Sequence, residues 1–163
     1  MRQRLLAIAA MGSFVNVSVA QSQSFSLTIS TPHSVVRVGD QIRVDVVLVN
    51  ITDHGISRPP VSLNPRCDYR IRVEAKTGLT TSEPCAGSRI IGFGPLKPQE
   101  SIVAHISLTG IIASGIFDFS MPGDYEVQFS RWDPDNARIV KSNKITIKVL
   151  PMDTALESPP NRK

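Results

Sequence analysis

Apolar and polar residues alternate with a period of two in segment after segment of this chain, the signature of short strands with one buried and one wet face. Phe25, Leu27 and Ile29 alternate with Ser26, Thr28 and Ser30. Ile42, Val44, Val46 and Leu48 repeat the pattern after the turn residues Gly39 and Asp40, and Val47 and Val49 fill the other face, which predicts a central strand. Tyr69, Ile71 and Val73 oppose outward Arg70, Arg72 and Glu74; Lys76, Thr77 and Gly78 then supply a turn before a weaker strand at Leu79–Ser82. Ile90 and Ile91 predict a short strand bounded by glycines. Ile102, Ala104, Ile106 and Leu108 form another, as do Tyr125, Val127 and Phe129 after Pro122, Gly123 and Asp124. Ile145, Ile147 and Val149 close the series against outward Lys144, Thr146 and Lys148. About seven or eight strands result.

No window carries the i, i+3, i+4, i+7 spacing of an amphipathic helix with a cap before it. Strands joined by turns without intervening helices form antiparallel sheets, and one-sided alternation needs a second sheet to cover the apolar faces, so the fold class is an all-β sandwich. Residues 110–121 are apolar without a clean period. They read either as a crossover that plugs one end of the sandwich or as a hydrophobic contact patch, through Ile112, Ile116 and Phe117. The last residues, 151–163, are polar and proline-rich and are expected to form a disordered tail.

The first 20 residues differ in kind. Arg2 and Arg4 precede an apolar stretch from Leu5 to Val15, and Ser18 and Ala20 stand where a signal peptidase reads, so cleavage is expected before Gln21. The apolar stretch is well short of the ~20 residues a bilayer requires, so no stable membrane insertion follows cleavage. Residues 21–150 are then the folded domain of a secreted or periplasmic protein. The formal charge of +4 and pI of about 9.4 shrink in meaning once Arg2 and Arg4 are removed, leaving 16 basic against 14 acidic residues without a basic run, and no case for nucleic acid. In an oxidising compartment Cys67 and Cys85, the chain's two cysteines, are expected to pair.

At Pro122 the sequence PGDYEVQF, followed by KSNKITIKV, resembles the last two strands of bacterial immunoglobulin-like domains. There a tyrosine entering the penultimate strand sends its hydroxyl back to the backbone, a structural corner that falls on Tyr125 here. The wider layout over residues 24–150, with VGDQIRVDVVLVNITD and LKPQESIVAHISL, is similar to secreted relatives of the BsuPI-type intracellular proteinase inhibitor domain. The resemblance implies an immunoglobulin-like antiparallel β-sandwich and, through the second family, inhibition by a loop. Cys67 and Cys85 are too close in sequence to bridge two sheets as in an antibody domain, and Trp132 lies late in the chain.

Chemistry is sparse. His33, His54 and His105 lie on separate segments, with only Asp53 beside His54 as a second ligand, and read as surface histidines. Asp133, Asp135 and Asn136 carry the oxygens calcium takes, yet Asp-Pro-Asp-Asn is also turn composition, with Asn136 able to accept positive φ. Ala113-Ser114-Gly115 only approaches a nucleophile elbow. No catalytic residue, metal or cofactor is assigned. Outward Arg70 and Arg72 are expected to find Glu126 across the sheet. What remains is a secreted non-catalytic module that binds a protein partner through its loops, His54, Arg58, Pro59 and Pro60 on the proline-stiffened 51–66 connection being one contact set. The alternatives are a proteinase inhibitor presenting that rigid loop and a carbohydrate-binding module, the latter poorly served by a chain only 6% aromatic.

Overall fold

A computed structural model describes residues 23–57, 62, 64–85, 94–109 and 117–152. Among these residues eight strands make two sheets. Strands β1 (Phe25–Ser30), β3 (Arg43–Asn50) and β6 (Ser101–Ser107) form a three-stranded sheet in the order β1-β3-β6. Strands β2 (Val35–Arg37), β4 (Arg70–Ala75), β5 (Gly78–Ser82), β7 (Gly123–Asp133) and β8 (Arg138–Leu150) form a five-stranded sheet in the order β2-β8-β7-β4-β5. This is an immunoglobulin-like β-sandwich.

The alternation seen in the sequence becomes the inside and outside of the sandwich. Phe25, Leu27, Ile29, Val44, Val46 and Leu48 of one sheet are buried against Ile71, Val73, Tyr125, Val127, Phe129 and Ile147 of the other. β3 lies centrally, as its doubly apolar sequence predicts, and its second face is half-buried. The predicted strand at Ile90 and Ile91 and the tail at 153–163 lie outside the described residues.

Pairing departs from the all-antiparallel expectation once. β2 runs parallel to β8, with Val36 opposite Val149. The chain leaves β1 and crosses to the far sheet within four residues, so it arrives beside β8 in the parallel sense without needing a helical crossover.

Polar side chains brace the margins of the sandwich. The Asn143 amide accepts a hydrogen bond from the Ile29 N–H (2.8 Å) and donates to the Ile29 carbonyl (3.0 Å), standing where a neighbouring strand would pair with β1. Buried Asn50 donates to the carbonyls of His54 and Leu96, both at 2.9 Å, and accepts from the Thr52 N–H. Such groups are stable inside only because their bonds are made.

Tyr125 supplies the corner anticipated from the resemblance. Its hydroxyl donates to the Met121 carbonyl at 2.7 Å, and its ring packs on Phe119 with centroids 4.8 Å apart. Burial, with Asp118 nearby, pushes its pKa above the ordinary tyrosine value. Cys67 and Cys85 are joined in a disulfide that ties the short 3-10 turn Pro65–Asp68, ahead of β4, to the segment after β5.

Candidate interaction surfaces

At one end of the sandwich, three pieces far apart in sequence meet: Ser24 before β1, the loop after β3, and the turn between β7 and β8. The loop is suspended from below. Asn50 holds the His54 carbonyl, the Thr52 hydroxyl lies 2.8 Å from both Asn50 Oδ1 and the His54 carbonyl, and Ile56 is buried in an antiparallel bridge to Leu96. The Ser57 N–H donates to Asp135 Oδ2 at 2.9 Å, fastening the loop to the turn. Between them lies a cleft of about 350 Å3 lined by Ser24, Thr52, His54, Ser57, Asp135 and Asn136.

Asp133 organises this end. Its carboxylate, fully buried, accepts from the Ser24 hydroxyl (2.6 Å), the Ser24 N–H (2.9 Å), the Asn136 amide (3.1 Å) and the Asp135 N–H (3.2 Å). Burial alone would raise its pKa, but these donors outweigh it and hold the carboxyl below its ordinary value. With its oxygens so engaged, Asp133 is a brace for the turn, in keeping with the turn composition of this segment. The turn itself differs in detail from expectation: positive φ falls on Ala137 (47°), while Asn136 spends its side chain on Asp133.

His54 is exposed on this end, its Nδ1 2.8 Å from Asp53 Oδ1, a contact that draws the Asp53 carboxyl below its usual range. Arg58, Pro59 and Pro60 lie outside the described residues, as do Ile112, Ser114 and Ile116. Phe117 is described, and its reading as a contact residue is corrected. Only 7% exposed, it belongs to the core beside Phe119, because the chain must cover apolar inner faces before it enters β7.

His33 is exposed, and His105 stands apart on β6 with its Nδ1 2.6 Å from Asp45 Oδ1 and 2.8 Å from an Arg43 Nη. His105, and secondarily Arg43, hold the half-buried Asp45 carboxyl below its ordinary value. Among the described residues no group of three His, Cys, Asp or Glu side chains is placed to hold a metal, and no helix is long and apolar enough to cross a membrane.

The outer face of the five-stranded sheet pairs its charges differently from expectation. β4 does pair with β7, but Glu126 stands opposite Glu74 and turns to Lys144 (2.5 Å). Arg70 pairs with Glu83 and Arg72 with Glu74, each at 2.8 Å. Near the top of this face Trp132 is 56% exposed and lies opposite Ile139, itself 44% exposed. They line a shallow, mainly apolar groove of about 170 Å3 with Arg70, Pro84 and Ser130. On the inward side of the same strand Arg131 is buried 5.0 Å over the Tyr69 ring. The Trp132–Ile139 pairing was missed in the sequence, although a four-residue turn at 134–137 implies that register.

No family model matches the chain, and no curated protein matches it. Among solved structures it is similar to a CARDB domain of a Pyrococcus furiosus protein, in complex with di-metal ions, at 14% identity and a TM-score of 0.43, over 81% of this chain and 97% of that one. It is also similar to β-glucosidases from Erythrobacter marinus and Listeria innocua, each at 16% identity, with TM-scores of 0.43 and 0.44. These cover 78% of this chain, which spans only 16% of either glucosidase. The fold is identified by its own strand order and by the burial of the two inner faces against each other.

Proposed function

We propose that the chain is an exported, non-catalytic interaction module that binds a protein partner at the loop end of its sandwich. The observation that carries the reading is the convergence of the 51–57 loop and the 133–138 turn around a polar cleft. Hydroxyls, an imidazole, an amide and a carboxylate there offer hydrogen bonds in both senses. The loop is already fastened by Asn50, Ile56 and Asp135, so little entropy is lost when it engages a partner. In this reading residues 1–20 are a cleaved export signal, 21–150 the binding domain, and the protein acts in the periplasm or outside the cell.

The mature protein, immobilised and exposed to the envelope and medium fractions of its own organism, should retain a protein that Thr52→Arg releases, since a bulky cation there blocks the cleft and removes the hydroxyl that ties the loop to Asn50. Retention unaffected by that change would overturn the loop-end reading. Titration against serine, cysteine and metallo-proteases separates the inhibitor reading suggested by the BsuPI-type resemblance: stoichiometric inhibition lost with Thr52→Arg would replace a general partner with a protease. N-terminal sequencing of the exported protein should begin at Gln21.

A further inference from the structure

Away from the loop cleft, the outer face of the five-stranded sheet carries the domain's exposed tryptophan. Trp132 on β7 and Ile139 on β8 are directly opposed, so their side chains lie on the same face within contact range. Pro84, held close to the sheet by the adjoining Cys67–Cys85 disulfide, and Arg70 on β4 complete a groove of about 170 Å3. That volume is below the ~300 Å3 at which small-molecule sites begin, yet it suits a single apolar side chain. Its walls are mostly hydrocarbon, with Ser130 and Arg70 as the accessible polar groups, too few to satisfy the hydroxyls of a sugar ring stacked on the indole.

The charges around it are unequal. Arg70 is compensated by Glu83 through two contacts of 2.8 Å, from Nε and Nη2. Lys141, opposite Ser130 and exposed next to Ile139 along β8, has no acidic partner among the described residues, whereas Lys144 on the same strand is matched by Glu126. An exposed aromatic and a branched aliphatic beside one uncompensated cation have the composition of a protein-binding hot spot: a desolvated apolar centre with a polar rim.

We propose that this groove docks a protein segment presenting a large apolar side chain flanked by a carboxylate. The apolar group lies between Trp132, Ile139 and Pro84, and the carboxylate meets Lys141. The inference rests on the reading of the chain as a protein-binding module but uses a surface distinct from the cleft, so Thr52→Arg and Lys141→Glu fail independently.

The test is selection of random dodecapeptides displayed on phage against the chain, followed by titration of the enriched peptides in synthetic form. Trp132 is the only tryptophan, so its emission reports occupancy directly. Enriched peptides should combine a large apolar residue with Asp or Glu, shift Trp132 emission saturably, and bind severalfold more weakly as salt rises from 50 to 300 mM. Lys141→Glu should lower affinity about tenfold and Trp132→Ala, followed by anisotropy of labelled peptide, about thirtyfold. Lys148→Glu makes the same charge change about 23 Å further along β8, by the ~3.3 Å rise per residue, and should have no effect. Failure of any peptide to enrich, enrichment without acids, or equal binding to Lys141→Glu overturns the proposal. So does an emission shift with oligogalacturonate in place of peptide, which would make the groove a saccharide site.

Discussion

Replacing Asp133 with alanine tests whether one buried carboxylate holds the loop end together. The change strands four donors: the Ser24 hydroxyl and N–H, the Asp135 N–H and the Asn136 amide. Hydrogen bonds to a charged group contribute ~1.5–3 kcal/mol each, and bonds that share one acceptor are far from additive. The two Ser24 bonds, at 2.6 and 2.9 Å, dominate and set the cost at about 3 kcal/mol. For a domain of this size that lowers Tm by roughly 10 °C. Asp133→Asn keeps the shape but turns an NH2 toward at least one donor, and should lose about 2 kcal/mol. Because the folded-state pKa is depressed, the stabilisation is fully present above the unfolded value near 3.9 and is lost as pH falls through the folded value. Urea unfolding at pH 7 should therefore show the full gap between wild type and Asp133→Ala, and the gap should narrow below pH 4. A gap under about 1 kcal/mol at pH 7, or one that persists unchanged into acid, refutes the reasoning.

Three further outcomes follow from the fold. Ala137 sits at φ 47°, where a Cβ is strained, so Ala137→Gly should stabilise by about 1 kcal/mol in the same urea assay. Tyr125→Phe removes the 2.7 Å bond to the Met121 carbonyl and should cost about 1–2 kcal/mol with unchanged far-UV circular dichroism. Replacing both Cys67 and Cys85 by serine opens a loop of sequence separation 18 and should cost about 3 kcal/mol, matched by adding reductant to the wild type.

The parts of this fold legible in the sequence are those written in local alternation. β1, β3, β4, β6 and the paired halves of β7 and β8 each announce a buried face, because period-two patterning is a property of a few consecutive residues. β2 is three residues long with only Val36 buried, and its parallel match to β8 depends on a partner over a hundred residues away. From the sequence Glu126 is expected to face the arginines, because local patterning conveys strand adjacency without register. The regular pairing of β4 with β7 sets Glu126 against Glu74, and on its other side β7 meets β8 with a register shift at Gln128/Ser130 that leaves Lys144 opposite Gln128, within reach of Glu126. The site was legible as two unrelated fragments. His54 and the Asp133–Asn136 turn were each visible, but the Ser57–Asp135 bond that unites them spans 78 residues. The 110–121 stretch shows the limit of composition: an aperiodic apolar run reads equally as cover or contact, and Phe117 and Phe119 take the first role.

Asn143 has a bearing on how the molecule keeps to itself. β1 forms the margin of its sheet, and an uncovered margin invites any passing extended chain to add on and begin a polymer. By meeting both the donor and the acceptor of Ile29, one amide leaves that residue with nothing to offer an intruder. At this residue the border is closed without the lysines, prolines or bulges that exposed borders commonly recruit, and trimming the amide to alanine would leave both groups open to an added strand.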